Sequence, residues 1–192
     1  MLSLGGTGKG FGMDVALSLD RVSALTEEDL AAVRALSQSV YPPTETADWP
    51  GRHLEWAEPE WCVRVCEPSG QLVSYVGVLL RNATYDGLPV RVGGVGGIMT
   101  HPATRRRGYA RRGILEAEKF FREQGSVAFA LLVCNPRLLA YYASVGWREF
   151  VGELWVVQTG SSARFTFNRI MTFGISGEAP AAGTIDPGGP PW

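Results

Sequence analysis

The strongest constraint on the fold is a short segment in which a strand passes through a basic loop into a helix. The strand ends in Gly97-Ile98-Met99-Thr100, the loop contains Arg105-Arg106-Arg107-Gly108, and a helix is predicted at residues 109–124. The start of such a helix has free backbone N–H groups, and Gly108 allows a ligand to approach the backbone closely. The segment therefore predicts a cradle for a phosphate or pyrophosphate. A solvated basic turn and a nucleic-acid patch are the alternatives, although no stacking aromatics are interleaved with these arginines.

Strands and helices follow one another along the rest of the chain, which predicts an α/β or α+β domain with a mixed, mostly antiparallel sheet flanked by helices. Thr26 caps a first helix that Pro42-Pro43 stops, and Asp86-Gly87 is a typical hairpin turn. A third helix begins after Asn135 and ends at Gly146. Strands are predicted at 15–19, 61–67, 72–85, 88–100, 127–134, 147–158 and 164–175.

The length and composition of the chain are those of one globular domain. It has 192 residues, 45% of them hydrophobic, and no apolar run long enough to cross a membrane. Residues 1–12 are expected to be a flexible leader, with Met13 as an alternative start, and residues 13–192 to be the domain. Its tail, residues 176–192, is rich in Gly and Pro and is not expected to form regular structure.

The charge and the cysteines exclude several classes of protein. The formal net charge of -1 argues against a protein that binds nucleic acid through bulk positive charge. Cys62, Cys66 and Cys134 form no CxxC pair, and with only two histidines they cannot supply a zinc cluster. They are interpreted as buried thiols, which fits a reducing, cytoplasmic setting. The N-terminus lacks the pattern of a secretory signal.

Two separate motifs resemble the GNAT superfamily of acetyl-CoA-dependent N-acetyltransferases. Arg105, Gly108 and Ala110 match the superfamily's Arg/Gln-x-x-Gly-x-Gly/Ala at the junction of strand and helix. Asn135 and the later Tyr142-Ala143-Ser144-Val145-Gly146-Trp147 are similar to its Asn and Tyr-x-x-x-Gly-Phe/Trp. The motifs occur in the expected order and separation, and the resemblance spans residues 15–175. It implies a single-domain GNAT fold and acetyl-CoA as the cofactor.

The resemblance also implies roles for individual residues. Ile98, Met99 and Thr100 would bind the pantetheine arm through backbone groups, and Asn135 would contact the cofactor nearby. Tyr142 would be the general acid that protonates the leaving thiolate, although its position alone is better explained by a core aromatic. The pyrophosphate would be bound by the amides of Arg105, Arg106, Arg107, Gly108, Tyr109 and Ala110.

The segment after the first helix is acidic and rich in tryptophan. Its acidic residues surround three tryptophans, and such a rim suits a cationic, sugar-like or polyamine acceptor. An exposed acidic loop anchored by its tryptophans explains the pattern equally well. The residues are Glu45, Asp48, Glu55, Glu58 and Glu60, with Trp49, Trp56 and Trp61.

A narrower resemblance is to the aminoglycoside 2′-N-acetyltransferases. Thr44-Glu45-Thr46-Ala47-Asp48-Trp49 is similar to their Thr-Glu-Thr-Asp-Trp, with one inserted residue. Those enzymes end on a tryptophan whose carboxylate reaches the acceptor, which implies a substrate-binding or catalytic role for Trp192, and Asp186 matches another family acid. Two acids are missing: a glutamate proposed as a base falls at Gly96, and an acid before the final tryptophan is proline in Gly189-Pro190-Pro191-Trp192.

The resemblance therefore implies acetyl transfer to a small cationic amine, with an aminoglycoside, and hence antibiotic resistance, as the narrowest interpretation. Candidates for the base are the Trp192 carboxylate, Asp48, Glu45 or a chain of water molecules. Acetylation of a peptide or protein amine and a non-catalytic acyl-CoA-binding module are the alternatives. Exposed strand edges often pair in this superfamily, so a homodimer is also implied.

Overall fold

The computed structural model describes residues 15–42 and 49–192, so the predicted leader and the start at Met13 lie outside the described residues. The described residues form ten strands and three α-helices. None of these helices is long and apolar enough to cross a membrane. The helices are α1 (Glu27–Val40), α2 (Tyr109–Glu123) and α3 (Leu139–Ser144). The strands are β1 (Ala16–Arg21), β2 (Trp61–Cys66), β3 (Leu72–Tyr85), β4 (Leu88–Thr100), β5 (Phe129–Cys134), β6 (Arg148–Phe150), β7 (Glu153–Gln158), β8 (Ser161–Arg164), β9 (Arg169–Gly174) and β10 (Thr184–Asp186).

The strands form one curled, mixed sheet, which confirms the predicted α/β architecture. Its order is β6-β9-β5-β4-β3-β10-β7-β8, and β2 pairs with the first part of β3 and carries β1 on its other edge. Only β4 with β5 and β10 with β7 pair in parallel, and the other neighbours are antiparallel. The sheet is therefore mostly antiparallel, as the sequence predicts.

Several helices and strands begin or end where local sequence motifs predict. Thr26 and Asp29 form a complete capping box at the start of α1, with the Asp29 backbone N–H donating to the Thr26 hydroxyl at 3.2 Å. Asp86 and Gly87 both take positive φ angles, 49° and 78°, as the two central residues of a tight hairpin turn do. The long β3–β4 hairpin consequently has the predicted boundaries.

The predicted strands at 147–158 and 164–175 are wrong in extent. The first is two strands, β6 and β7, with different partners, and the second contains β9 and only the last residue of β8. β6 pairs with β9, whereas β7 pairs with β8 and β10. Gly152 lies at the break between β6 and β7, where a Cβ atom would collide with the Gly183 carbonyl oxygen. An apolar run does not reveal such a change of partner, because its alternation continues across the break.

The Gly/Pro-rich tail also differs from its prediction, because it contains a strand. Thr184-Ile185-Asp186 forms β10, which lies between β3 and β7 and pairs with both. This triplet has neither Gly nor Pro, so its backbone can supply a ladder of hydrogen bonds. The Ile185 side chain is completely buried. Three residues are too few to show an alternating pattern, and for this reason the strand is not visible in the sequence.

Helix α2 is fixed to the sheet by an apolar face and one buried carboxyl group. Ile114, Ala117 and Phe121 are fully buried in the main core cluster. Glu118 is buried among them and accepts a hydrogen bond from the Trp147 indole at 3.0 Å. Burial raises the pKa of the Glu118 carboxyl, and the indole bond opposes this shift. Because Trp147 follows α3 directly, this bond helps to hold α3, which carries Tyr142, against the sheet.

Candidate active site

The candidate site lies where the two parallel central strands separate. β4 and β5 pair only from Val92–Phe129 to Gly94–Leu131, and beyond this point β5 continues to pair with β9 on its other side. A cavity of about 770 Å³ opens at the separation. Its walls come from β4, the end of β5, α3 and several loops. The described lining residues are Tyr41, Trp49, Trp56, Ala57, Pro59, Leu79, Val95, Gly96, Gly97, Ile98, Val133, Cys134, Asn135, Leu138, Tyr142, Phe167, Asn168 and Trp192.

A β-bulge in β4 shapes one wall of this cavity. Tyr75 pairs with Met99 and Gly77 with Gly96, so β4 carries one extra residue, and Gly97 takes a φ of 56°. The extra residue reverses the alternation of side chains. Val95 consequently packs in the cluster that contains α2, whereas Met99 packs in the cluster that contains α1. The bulge turns the edge of β4 toward the cavity at Gly96 to Ile98.

Of the predicted pantetheine-binding residues, the structure places Ile98 in the cavity wall and the Met99 side chain in the core. Met99 can therefore offer only its main chain, as the resemblance implies. The buried Ser74 hydroxyl donates to the Met99 carbonyl at 2.7 Å and lies 3.0 Å from the Thr100 hydroxyl. These bonds fix the last residues of β4 ahead of the basic loop.

The basic loop forms the predicted start of α2. Arg106 and Gly108 have positive φ angles, 65° and 79°, and Gly108 is the N-cap residue. Positive φ angles close together produce concave loops in which several N–H groups converge, and the helix dipole adds to their attraction for an anion. The side chains of Arg105, Arg106 and Arg107 are exposed. The loop therefore fits the pyrophosphate group that the resemblance implies.

Glu67, which sequence analysis did not identify, ties this loop to the end of β2. Its Oε1 atom accepts from the buried Tyr109 hydroxyl at 3.1 Å and lies 3.3 Å from Nη1 of Arg107. On the other side, Nε of Arg105 reaches the Thr100 carbonyl oxygen at 3.4 Å. Tyr109 is thus an anchor through its side chain, and only its amide can contribute to the predicted anion cradle.

Asn135 and Tyr142 lie together on the β5 side of the cavity. Asn135 caps the turn after β5, where its Oδ1 accepts from the Arg137 N–H at 3.0 Å, and it also lines the cavity. Tyr142 is 6% exposed, so it satisfies both interpretations given above: its ring is part of the core, and its side chain lines the cavity. Burial raises the pKa of the Tyr142 phenol well above its ordinary value. The phenol therefore keeps its proton at neutral pH.

Three aromatic rings form another wall of the cavity. Trp49 stacks on Trp56 with ring centroids 5.9 Å apart, and Phe167 contacts both rings edge-on. The Trp56 indole donates to the Gly51 carbonyl at 2.8 Å, which holds the wall in place. Phe167 and Asn168 are not recognisable as cavity residues in the sequence, because the predicted strand at 164–175 runs through them. Tyr41 is not recognisable either, because nothing in the local pattern separates it from the end of α1.

Trp192 lies at the base of the cavity, over two glycines of β4. Its indole Nε1 donates to the Leu131 carbonyl at 2.9 Å, and the residue is buried. A Cβ atom at Gly94 would lie 2.5 Å from Cε2 of Trp192, and one at Gly96 would lie 2.8 Å from its main-chain carbonyl carbon. The position where the resembling family carries a glutamate is thus covered here by the main chain of Trp192.

Of Asp186, Glu45 and Asp48, only Asp186 can be placed relative to the cavity. Asp186 lies outside its lining, and its carboxylate accepts from the Gly188 N–H at 2.8 Å, which shapes the turn that leads to Trp192. Glu45 and Asp48 lie outside the described residues. Within residues 15–42 and 49–192, no group of three His, Cys, Asp or Glu side chains could hold a metal ion.

Comparisons with known proteins agree with this geometry. Solved structures that share the fold include the GNAT family N-acetyltransferase YhbS from Escherichia coli in complex with CoA, with a TM-score of 0.61, 13% identity, and coverage of 94% of this chain and 93% of that chain. An acyl-CoA N-acyltransferase from Pseudomonas aeruginosa has a TM-score of 0.57 and 16% identity, with 84% of this chain and 100% of that chain covered. A GNAT family acetyltransferase from Brucella melitensis in complex with acetyl-CoA has a TM-score of 0.54 and 13% identity, with 88% and 94% covered.

These identities establish a shared fold and nothing finer. The family is established by sequence, because a model of the acetyltransferase (GNAT) domain matches residues 21–150, which is more than half of the chain. The matched region contains the basic loop and α2, and also Asn135 and Tyr142, which line the cavity. The chain therefore belongs to the GNAT family of acetyltransferases.

Proposed function

We propose that this chain transfers an acetyl group from acetyl-CoA directly to a primary amine of a small cationic molecule. The observation that carries the proposal is the cavity at the point where β4 and β5 separate, which is lined by Asn135, Tyr142 and aromatic rings and by Ile98 near the end of β4 that leads into the basic loop. Donor and acceptor can therefore meet inside it, beside Tyr142. This arrangement corresponds to a ternary complex.

The donor is bound by main-chain groups and one side chain. Beyond Gly94, the edge of β4 on the side of β5 is no longer paired with β5. The backbone groups of Ile98 and Thr100 can therefore pair with the amides of the pantetheine arm. The N–H groups from Arg106 to Ala110 would bind the pyrophosphate, whereas the Arg105 N–H already donates to the Pro102 carbonyl oxygen at 3.5 Å. Asn135 would contact the arm nearby. Bound in this way, acetyl-CoA supplies an activated acetyl carbonyl on a good leaving group.

Tyr142 provides the proton that the reaction requires. The neutral amine attacks the acetyl carbonyl, the C–S bond breaks, and the phenol gives its proton to the departing sulfur. The amine nitrogen loses one proton as the amide forms, and this proton passes through water to the phenolate and restores Tyr142. The raised pKa keeps this proton on Tyr142 until the thiolate forms. A backbone N–H on the edge of β4 at the bulge is the candidate donor to the developing oxyanion.

Cys134 favours direct transfer over an acyl-enzyme. Its thiol lines the cavity, but burial raises its pKa to about 11. Only a thiolate is an effective nucleophile, so this cysteine remains inert at neutral pH. A two-step route through an acyl-cysteine would need a depressed thiol pKa and a neighbouring base.

The aromatic wall supports a cationic acceptor. The faces of Trp49, Trp56 and Phe167 can attract an ammonium group through cation–π contacts, and they also pack against the apolar faces of a sugar. The main chain of Trp192, which covers Gly96, would complete the acceptor site from the β4 side. An aminoglycoside is the candidate suggested by the resemblance around Trp49, and antibiotic resistance would follow from its acetylation. Glu45 and Asp48 remain candidates for contact with its charged groups.

The deciding experiment is a thiol-release assay with acetyl-CoA and a panel of amines. The panel contains aminoglycosides, polyamines, amino acids and peptides, and a reaction without amine corrects for hydrolysis. Turnover of aminoglycosides or polyamines supports the proposal, whereas turnover of peptides alone indicates a protein amine. Binding of acetyl-CoA without turnover of any amine would indicate a non-catalytic acyl-CoA-binding module.

A cytoplasmic location and a homodimer stay predictions. The three cysteines are not in disulfides, and Cys62 and Cys134 are buried, as expected of a chain that folds under reducing conditions. Light scattering at several protein concentrations measures the oligomeric state, and a constant monomer mass would contradict the dimer.

Replacing Gly108 with alanine tests the anion cradle. No atom lies within 4 Å of a Cβ placed at Gly108, so the substitution acts through the φ of 79° alone. A left-handed conformation costs alanine about 1 to 2 kcal/mol, and the loop is expected to relax away from the geometry that points its N–H groups at the pyrophosphate. We expect the Kd for CoA, measured by calorimetry, to rise about fivefold to tenfold.

Gly160→Ala is the matched control, because Gly160 has a φ of 76°, an equally open environment and a position in the β7–β8 turn. Both variants should lose similar thermal stability, but only Gly108→Ala should lose affinity for CoA. Equal CoA affinities in the two variants would count against the cradle.

A further inference from the structure

The side chain of Trp192 fills the gap where β4 and β5 separate. Gly94 of β4 and Leu131 of β5 form the last pair before the two strands separate. At this point the Trp192 indole donates to the Leu131 carbonyl at 2.9 Å and packs on Gly94. The residue is 6% exposed and belongs to an apolar cluster that includes Leu79, Val92 and Ile185. One large ring system thus occupies the space into which the cavity would otherwise continue.

The indole also lies where the acyl end of the donor has to point. On the proposed function, the pantetheine arm follows β4 from Thr100 to Ile98, and the sulfur lies beside Tyr142. The acyl group then extends along the same strand, past the Trp192 main chain over Gly96, toward the separation that the indole fills. Cavity residues along this path, such as Val95 and Val133, are apolar, so the path suits a hydrocarbon chain.

We propose that the Trp192 indole sets the acyl-chain specificity of the enzyme by closing the acyl end of the cavity, so that only short acyl groups are accepted. This inference rests on the proposed function but concerns the donor rather than the amine. It also explains why β4 carries glycine at positions 94 and 96, since a side chain at Gly94 would push the indole out of the gap.

Removing the indole should lengthen the cavity. Trp192→Ala leaves a space on the order of 100 Å³, and an apolar space of this size stays dry and accepts apolar ligands. Each additional methylene group buried there strengthens binding by about fourfold. Butyryl-CoA and hexanoyl-CoA, which have two and four more methylenes than acetyl-CoA, should gain accordingly.

The test measures the Kd of CoA thioesters by isothermal titration calorimetry, without any amine, so that no turnover is required. The full chain is compared with Trp192→Ala and Trp192→Leu, using acetyl-, butyryl- and hexanoyl-CoA. The full chain should prefer acetyl-CoA to hexanoyl-CoA by at least about tenfold. In Trp192→Ala the ratio of the Kd values for hexanoyl-CoA and acetyl-CoA should fall by about tenfold or more. In Trp192→Leu this ratio should take an intermediate value.

Trp155→Ala is the matched control, because Trp155 is half-buried on β7 and outside the described cavity lining. It should keep the acyl preference of the unmodified chain. An unmodified chain that binds all three thioesters equally, or a folded Trp192→Ala variant that keeps the original preference, would overturn the inference. If Trp192→Ala does not unfold cooperatively, Trp192→Leu decides in the same way. Failure of the unmodified chain to bind any thioester would instead overturn the proposed function.

Discussion

Replacing Tyr142 with phenylalanine is expected to lower kcat by about 10- to 100-fold while the Kd for acetyl-CoA changes little. The substitution removes only the hydroxyl, so the ring still fills its place between Tyr141 and Trp147. The departing thiolate then has to take its proton from water. Steady-state kinetics with the best amine of the panel gives kcat, and calorimetry with acetyl-CoA gives the Kd.

The adjacent Tyr141→Phe is a matched control for this prediction. The Tyr141 hydroxyl is buried and has no hydrogen-bond partner among the described residues, and Tyr141 is not in the cavity lining. Its removal should leave kcat unchanged, because no proton transfer depends on it. A similar loss of kcat in both variants would show that α3 responds to any change of tyrosine, and the role of Tyr142 as acid would be refuted.

The pH dependence gives a second readout of the same group. Burial raises the pKa of Tyr142 in the folded chain, so the phenol is protonated at all pH values below its ordinary pKa of about 10. Activity that needs this proton is therefore retained as the pH rises to that value and is lost only above it. An alkaline decline centred near pH 8 or 9 would have to come from another group.

Replacing Gly94 with alanine is expected to destabilise the fold by about 2 to 4 kcal/mol. The new Cβ atom would lie 2.5 Å from Cε2 and 2.8 Å from Nε1 of Trp192, and the backbone of β4 cannot retreat because β3 pairs with it. Overpacking costs about 1 to 3 kcal/mol, and loss of the bond to the Leu131 carbonyl adds about 1 kcal/mol. Urea unfolding measures the difference in the free energy of unfolding.

Gly177→Ala controls for the substitution itself. No atom lies within 4 Å of a Cβ at Gly177, and this glycine does not have a positive φ. Its stability should change by less than about 0.5 kcal/mol. If Gly94→Ala and Gly177→Ala were equally stable, the Trp192 indole would not be packed on β4 as tightly as the distances indicate.

The parts of the fold that the sequence predicts well are those with local signals. The Asp86-Gly87 turn gives the β3–β4 hairpin its boundaries, and the capping box at Thr26 gives the start of α1. The break at Gly152 and the strand β10 depend on partners distant in sequence, so no local pattern marks them. Strand propensity depends on the residues of one segment, whereas strand pairing depends on two segments that can be far apart in the sequence.

The candidate site, like the fold, has one part that the sequence predicts and one part that it does not. The donor half is a strand, a loop and a helix start in direct succession, and its spacing is readable from residues 97–110. The acceptor half brings together Tyr41, Trp56 and Phe167 from three separate segments. Their proximity follows from the curl of the sheet, which the sequence does not display. The resemblance implies a role for the Trp192 carboxylate, and nothing in the sequence indicates that the Trp192 indole lies between β4 and β5.

The double pairing of β10 has a consequence for the order in which the protein folds. The β7–β8 hairpin joins the rest of the sheet only through β10, and the pairing of Ile185 with Tyr85 connects residues a hundred positions apart. Closing so long a loop is slow compared with forming the β3–β4 hairpin, whose strands are adjacent. The β7–β8 hairpin and Trp192, which follows β10, should thus take their places in the sheet after the β3–β4 hairpin has formed.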